Sequence, residues 1–187
     1  MNKKWFSIVF CLLLLPVFGF GQDCKMYSYD KWKVKFSFCV PTAWTVDDFF
    51  TGYVVFMPPY IEVPGKRSWA ARLDAINRPD LKSADECRKG YLVTAAQQQY
   101  TDIKASTPVE FKTDSGLTGT RSVITYTDPD YKPEHVIYGF QIDNLVQCYV
   151  FQTLQSDLDG LKNVDSALKT LKLVKKTSPP AKKVAKP

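Results

Sequence analysis

Residues 33–40, K-V-K-F-S-F-C-V, alternate without a break between polar and apolar side chains, and Pro41 stops the run. A period of two puts Val34, Phe36, Phe38 and Val40 on one face and Lys33, Lys35, Ser37 and Cys39 on the other, the pattern of a strand with one side on a core and one in water. A chain bearing such a strand must supply partners for its backbone and a second layer for its apolar face. Residues 52–57 and 68–76 read as further strands, set off by Pro58, Pro59, Pro64 and Gly65. Ser83 and Glu86 have the S-x-x-E spacing of a capping box, which predicts a helix over residues 84–100 with Ala84, Cys87, Tyr91 and Ala95 on its inner stripe. Strands follow at 108–112, 117–127, 135–142 and 145–154, the last two joined by Asp143 and Asn144, which tolerate the positive φ of a tight hairpin. Leu158, Leu161, Val164, Leu168 and Leu171 recur at helical spacing around residues 157–170, with Ser156 as the expected cap. This order predicts an α+β fold, an antiparallel sheet covered by helices in an α/β/α sandwich.

The N-terminus has a different organisation. Lys3 and Lys4 precede an apolar run from Trp5 to Phe20, followed by Gly19, Phe20 and Gly21 as a small-x-small triplet. That is the layout of a secretory signal, so residues 1–21 are expected to be cleaved, leaving Gln22 first. A spanning anchor is the poorer reading because Pro16 interrupts the run, and no transmembrane segment is expected after cleavage. Neither Cys11, which follows Phe10, nor Cys24, which follows Asp23, has the small residue that precedes a lipid-modified cysteine.

Cleavage would remove Cys11 and leave Cys24, Cys39, Cys87 and Cys148, an even set scattered singly, without the close C-x-x-C pairs of structural zinc sites. Disulfides in a periplasmic or secreted protein are the expected use. Four cysteines allow three pairings. A turn at residues 30–32 would fold residues 26–29 back on 33–40, which favours Cys24 with Cys39 and leaves Cys87 for Cys148.

The net charge of +6 lies at the chain's ends. With Lys3, Lys4 and the tail lysines Lys175, Lys176, Lys182, Lys183 and Lys186 set aside, the remaining basic residues nearly balance the 19 acidic ones, so no nucleic-acid partner is expected. The chain thus divides into a signal (1–21), one folded domain (22–174) and a Lys/Pro/Ala tail (175–187) with too little apolar content to fold. Such a tail suits an anionic envelope surface, and equally a solubilising terminus without a partner.

The strand entering F-S-F-C-V-P-T-A-W, the long helix after the first strands, the G-x-x-x-x-x-x-Y strand from Gly119 to Tyr126, the hairpin from Tyr138 to Phe151 and the final helix running into Leu171, Lys172 and Leu173 together resemble the PsbP/Mog1-like superfamily. The resemblance spans residues 27–174 and implies its α+β sandwich, with Trp44 at a packing position. The bacterial members are small secreted or lipid-anchored proteins. The plant photosystem subunit binds at a membrane-protein surface and the nuclear member binds a small GTPase, so the resemblance implies a binding module more than an enzyme.

Chemistry-bearing residues are sparse. There is no P-loop, no Rossmann glycine set and no H-E-x-x-H, and no cofactor is expected. His135, the only histidine, reads as a solvated residue at a strand end. Residues 127–135 gather Asp128, Asp130, Glu134 and His135, the best metal-ligating candidates, although the segment also reads as a proline-stiffened loop. The segment around Trp44, Phe49, Phe50, Tyr53, Phe56, Met57, Pro58, Pro59 and Tyr60 holds more aromatic surface than one half-buried strand readily hides. Phe49, Phe50, Tyr53 and Tyr60 are therefore candidate contacts for a protein partner, and Lys175, Lys176, Lys182 and Lys183 for an anionic surface.

Overall fold

The computed structural model describes residues 23–48, 52–97, 100–128 and 130–176, the side chains of 93–97 excepted. The expected signal peptide, Phe49, Phe50, Lys182 and Lys183 lie outside the described residues.

The alternating segment is strand β2 (Val34–Pro41), which runs antiparallel to β1 (Cys24–Tyr29) after the turn at residues 30–33. Next come β3 (Thr45–Asp47), β4 (Tyr53–Met57) and β5 (Arg72–Arg78), then a 3-10 turn (Ala84–Glu86) continuing as α1 (Cys87–Gln97). β6 (Thr101–Ala105), β7 (Val109–Lys112), β8 (Thr118–Thr127), β9 (Pro133–Ile142) and β10 (Leu145–Leu154) follow. The chain closes with α2 (Leu158–Lys169) and β11 (Lys172–Lys175). A large antiparallel sheet has the order β3-β4-β5-β10-β9-β8-β6, with β7 also on β8, and a separate three-stranded sheet has the order β1-β2-β11.

This corrects the expected α/β/α sandwich. One face of the large sheet is covered by the three-stranded sheet together with α2, and only the other by the turn and α1, so the fold is richer in sheet than the sequence suggests. The reason lies in residues 172–175, which are strand where the sequence suggests the exit of a helix; β11 pairs with β2 from Lys172 opposite Ser37 to Lys175 opposite Val34. Lys175 and Lys176 accordingly belong to the fold, with the Lys176 amide donating to the Lys33 carbonyl at 3.0 Å.

Alternation along the central strands separates two cores. On one face Phe36 and Phe38 of β2 meet Phe56, Leu73, Val136, Tyr138, Phe140, Tyr149 and Phe151 of the large sheet, with Val164, Ala167 and Leu168 of α2. On the other, Cys87 packs with Ile124, Tyr126, Ile137, Val146, Cys148 and Val150. Arg121 on β8 donates from Nε to Asp165 Oδ1 on α2 at 3.0 Å, and the Tyr138 hydroxyl donates to the same oxygen, tying α2 to the sheet. The turn before α1 lies so close to β9 that a Cβ at Gly139 would collide with the Ala84 carbonyl.

Neither helix start makes the cap bond expected of it. Ser83 holds the N-cap position as expected, but its side chain makes no cap bond; the Glu86 carboxylate accepts from the Lys82 amide at 2.7 Å, and the first turn tightens to 3-10 geometry. At α2 the cap is Asp157, not Ser156: its Oδ1 accepts from the Gly160 amide at 2.9 Å while Thr153 Oγ1 donates to Oδ2 at 2.5 Å. A carboxylate that also receives a hydroxyl from β10 is held more firmly than the neighbouring serine would be. The hairpin between β9 and β10 turns as expected, with Asp143 at φ 53°.

The four cysteines are paired as Cys24–Cys39 and Cys87–Cys148, with Cα separations of 5.5 and 5.7 Å. The first is a diagonal pair, because in the register Cys24 stands opposite Pro41 and Cys39 opposite Met26. The second fastens the start of α1 to β10 inside the second core.

Candidate docking surface

Trp44 follows the end of β2 and stacks on Phe151 with ring centroids 6.1 Å apart, buried as a core residue. A hollow lies on each side of the edge strand β3, and Trp44 lines one of them. The first, about 380 Å³, is lined by Met26, Tyr27, Val40, Trp44 and Val46 among others. The second, about 370 Å³, is lined by Thr45, Met57, Pro58, Pro59, Tyr60 and Ala71 among others. Val46 stands opposite Phe56 and Thr45 opposite Met57, so alternation on β3 and β4 sends Val46 into one hollow and Met57 into the other. Tyr60 is 70 % exposed, Met26 55 %, Met57 39 % and Val46 38 %, a concentration of large apolar side chains in water that a surface with no partner seldom carries.

Of the aromatic candidates, Tyr60 thus stands on this rim. Tyr53 does not: it is half-buried four residues back along β4, opposite Ile76. Met57 belongs to the aromatic segment that stands out in the sequence, whereas nothing in the sequence marks Met26 or Val46. Each is a single apolar residue on a short edge element, and its exposure depends on which strand lies beside it.

The Asp128 to His135 segment does not assemble a metal site. Asp128 spends Oδ1 on the amides of Asp130 (2.9 Å) and Tyr131 (3.0 Å), closing the loop on itself. Asp130 is exposed, with its carbonyl taken by Lys66, and the Tyr131 hydroxyl donates to the Arg67 carbonyl at 2.8 Å. Glu134 and His135 are consecutive on β9 and so point to opposite faces of the sheet. Among the described residues, no group of three or more His, Cys, Asp or Glu could hold a metal ion.

His135 is buried, not the solvated strand-end residue expected. It lies under α1, where Tyr91 meets its ring edge-on at 5.7 Å and the Tyr126 hydroxyl is 3.2 Å from Nε2. Burial lowers its pKa to about 4, with the facing Gln152 opposing and Arg72 reinforcing the shift. On the same face Asp74, also buried, accepts from Arg72 (2.9 Å) and Gln152 (3.1 Å), and burial raises its pKa. Because His135 binds a proton less readily folded than unfolded, its contribution is complete above about pH 6.5 and is lost as pH falls toward 4, by about 3 kcal/mol. Raised Asp74 acts in the opposite sense, so the test is a difference: wild-type minus His135→Phe stability, from urea unfolding, should fall by that amount from pH 7 to pH 4. A constant gap would contradict a neutral, buried His135.

No family model matches the chain, and no curated protein matches it in sequence. Its fold does match solved structures. The solution structure of cyanobacterial PsbP (CyanoP) from Synechocystis aligns with a TM-score of 0.55 at 16 % identity, covering 82 % of this chain and 94 % of that one. A mutant of protein Mog1 aligns with a TM-score of 0.54 at 7 % identity, covering 82 % of this chain and 97 % of that one. The chain therefore has the PsbP/Mog1-like fold.

Proposed function

We propose that this chain is a secreted or periplasmic binding protein, without catalysis of its own, that docks a protein partner through the apolar rim on either side of β3. The carrying observation is the exposure of Met57 and Tyr60 with Val46 and Met26 around the two hollows that flank β3. Such side chains lose their water only when a partner covers them, which is the driving force of association. The compartment rests on the signal-like N-terminus and the two disulfides, which persist where thiols are not kept reduced. Among the described residues no helix is long and apolar enough to cross a membrane. The small-ligand or metal alternative at Asp128 to His135 is the weaker reading, because its donors diverge.

The partner is to be recovered from an envelope extract with the oxidised protein starting at Gln22, identified, and its affinity measured against Met57→Ser with Tyr60→Ser. A loss of at least tenfold, about 1.4 kcal/mol, is expected if these residues are anchors. A partner bound equally by both proteins would overturn the rim as the docking site.

A further inference from the structure

The outward face of the three-stranded sheet carries a second surface, chemically unlike the rim. Alternation on β2 sends Lys33 and Lys35 away from the core. In the β2–β11 register Ser37 stands opposite Lys172 and Lys35 opposite Val174, and the hydrogen bond from Lys176 to Lys33 extends the same register by one pair. Lys33, Lys35, Lys172 and Lys176 therefore form a ladder on one face, all exposed. Directly opposite residues on paired strands approach to about 5 Å at Cβ and diagonal ones to about 7–8 Å, distances at which like charges repel.

Among the described residues none of the four takes part in a direct ion pair. Lys31 at one margin pairs with Asp48 at 3.2 Å and Lys175 at the other with Asp143 at 2.5 Å. Edge lysines alone would be understood as protection against strand addition at β11, yet Lys35 belongs to the central strand and Lys33 directly precedes it. Val174, 59 % exposed, stands among the ammonium groups. A cationic face with an apolar side chain in its midst fits a phospholipid surface, where ammonium groups meet phosphates and the apolar group reaches the acyl boundary. Lys182, Lys183 and Lys186 follow within the next residues of the chain and add to the same charge.

We propose that the outward face of the β1-β2-β11 sheet, through Lys33, Lys35, Lys172 and Lys176, docks on an anionic phospholipid bilayer. The inference takes its compartment from the proposed function but stands independently of the rim. It is tested by co-sedimentation of the protein starting at Gln22 with vesicles of phosphatidylcholine, alone or with one third phosphatidylglycerol. A Lys33→Gln, Lys35→Gln, Lys172→Gln variant is compared with a Lys182→Gln, Lys183→Gln, Lys186→Gln variant, and circular dichroism confirms that both are folded. Binding is expected only to the anionic vesicles. Each lysine at such a surface is worth about fivefold, so the sheet variant should partition on the order of 100-fold more weakly. Full retention by the sheet variant, with all the loss in the tail variant, would overturn the proposal. So would retention on a sulfated polysaccharide or nucleic acid without any on anionic vesicles.

Discussion

Replacing Cys87 and Cys148 together by alanine is expected to lower the unfolding free energy by about 4 kcal/mol. The bridge spans 61 residues, so its removal releases a long stretch of unfolded chain, whereas the Cys24–Cys39 bridge, spanning 15, is expected to contribute about 3 kcal/mol. The difference also has a structural side. Cys87 and Cys148 are both buried in the second core, and the bond between them fastens the start of α1 over His135 and Tyr126. The Cys24–Cys39 bridge instead crosses an outward-facing hairpin already held by six residue pairs. Denaturant titration of the two double-alanine proteins should show the larger loss for the long-loop pair. Equal stability of both variants and wild type would contradict disulfides in the folded protein.

Truncating Phe38 to alanine should cost about 3–5 kcal/mol, a large share of the roughly 5–15 kcal/mol that holds a domain of this size. Phe38 has no exposed surface and fills the space between the sheets, its ring 4.9 Å from Phe56, 6.0 Å from Phe36 and 6.2 Å from Tyr149. These rings belong to different strands, so none can close the void without moving its own strand. Lys35→Ala, on the opposite face of the same strand, should change stability by no more than about 0.5 kcal/mol. Similar losses at both positions, measured by urea unfolding, would mean that the alternation of β2 does not divide core from solvent as described.

That alternation was legible because it is uninterrupted: Val34, Phe36, Phe38 and Val40 are all buried and Lys33 and Lys35 exposed. The strands of the large sheet's centre were legible for the same reason, as was the β9–β10 hairpin from Asp143 and Asn144. What escaped was short or unpatterned. β6 is T-D-I-K-A with only Ile103 partly buried, β3 has three residues, and β11 follows directly on Leu171, the last residue at the helical spacing of α2. Losing β11 from the count turned a layer of sheet and helix into a layer of helices.

The candidate metal residues failed for a related reason. Starting the strand at His135 left Glu134 in the loop, free to converge with it. The strand starts at Pro133, so the two consecutive side chains are forced onto opposite faces. The rim was half legible: Tyr60 and Met57 stood out by composition, but Val46 emerges only because β3 is an edge strand with nothing beyond it in the sheet.

The measurement that bears most directly on the docking account places a photo-crosslinking amino acid at Tyr60, with Lys104 as the comparison site. Lys104 is exposed on β6, at the opposite edge of the large sheet from β3. Activated in the intact envelope, the probe at position 60 should give one discrete adduct with a protein partner, and the probe at position 104 none. Adducts at both positions alike, or at neither, would contradict an apolar docking rim beside β3.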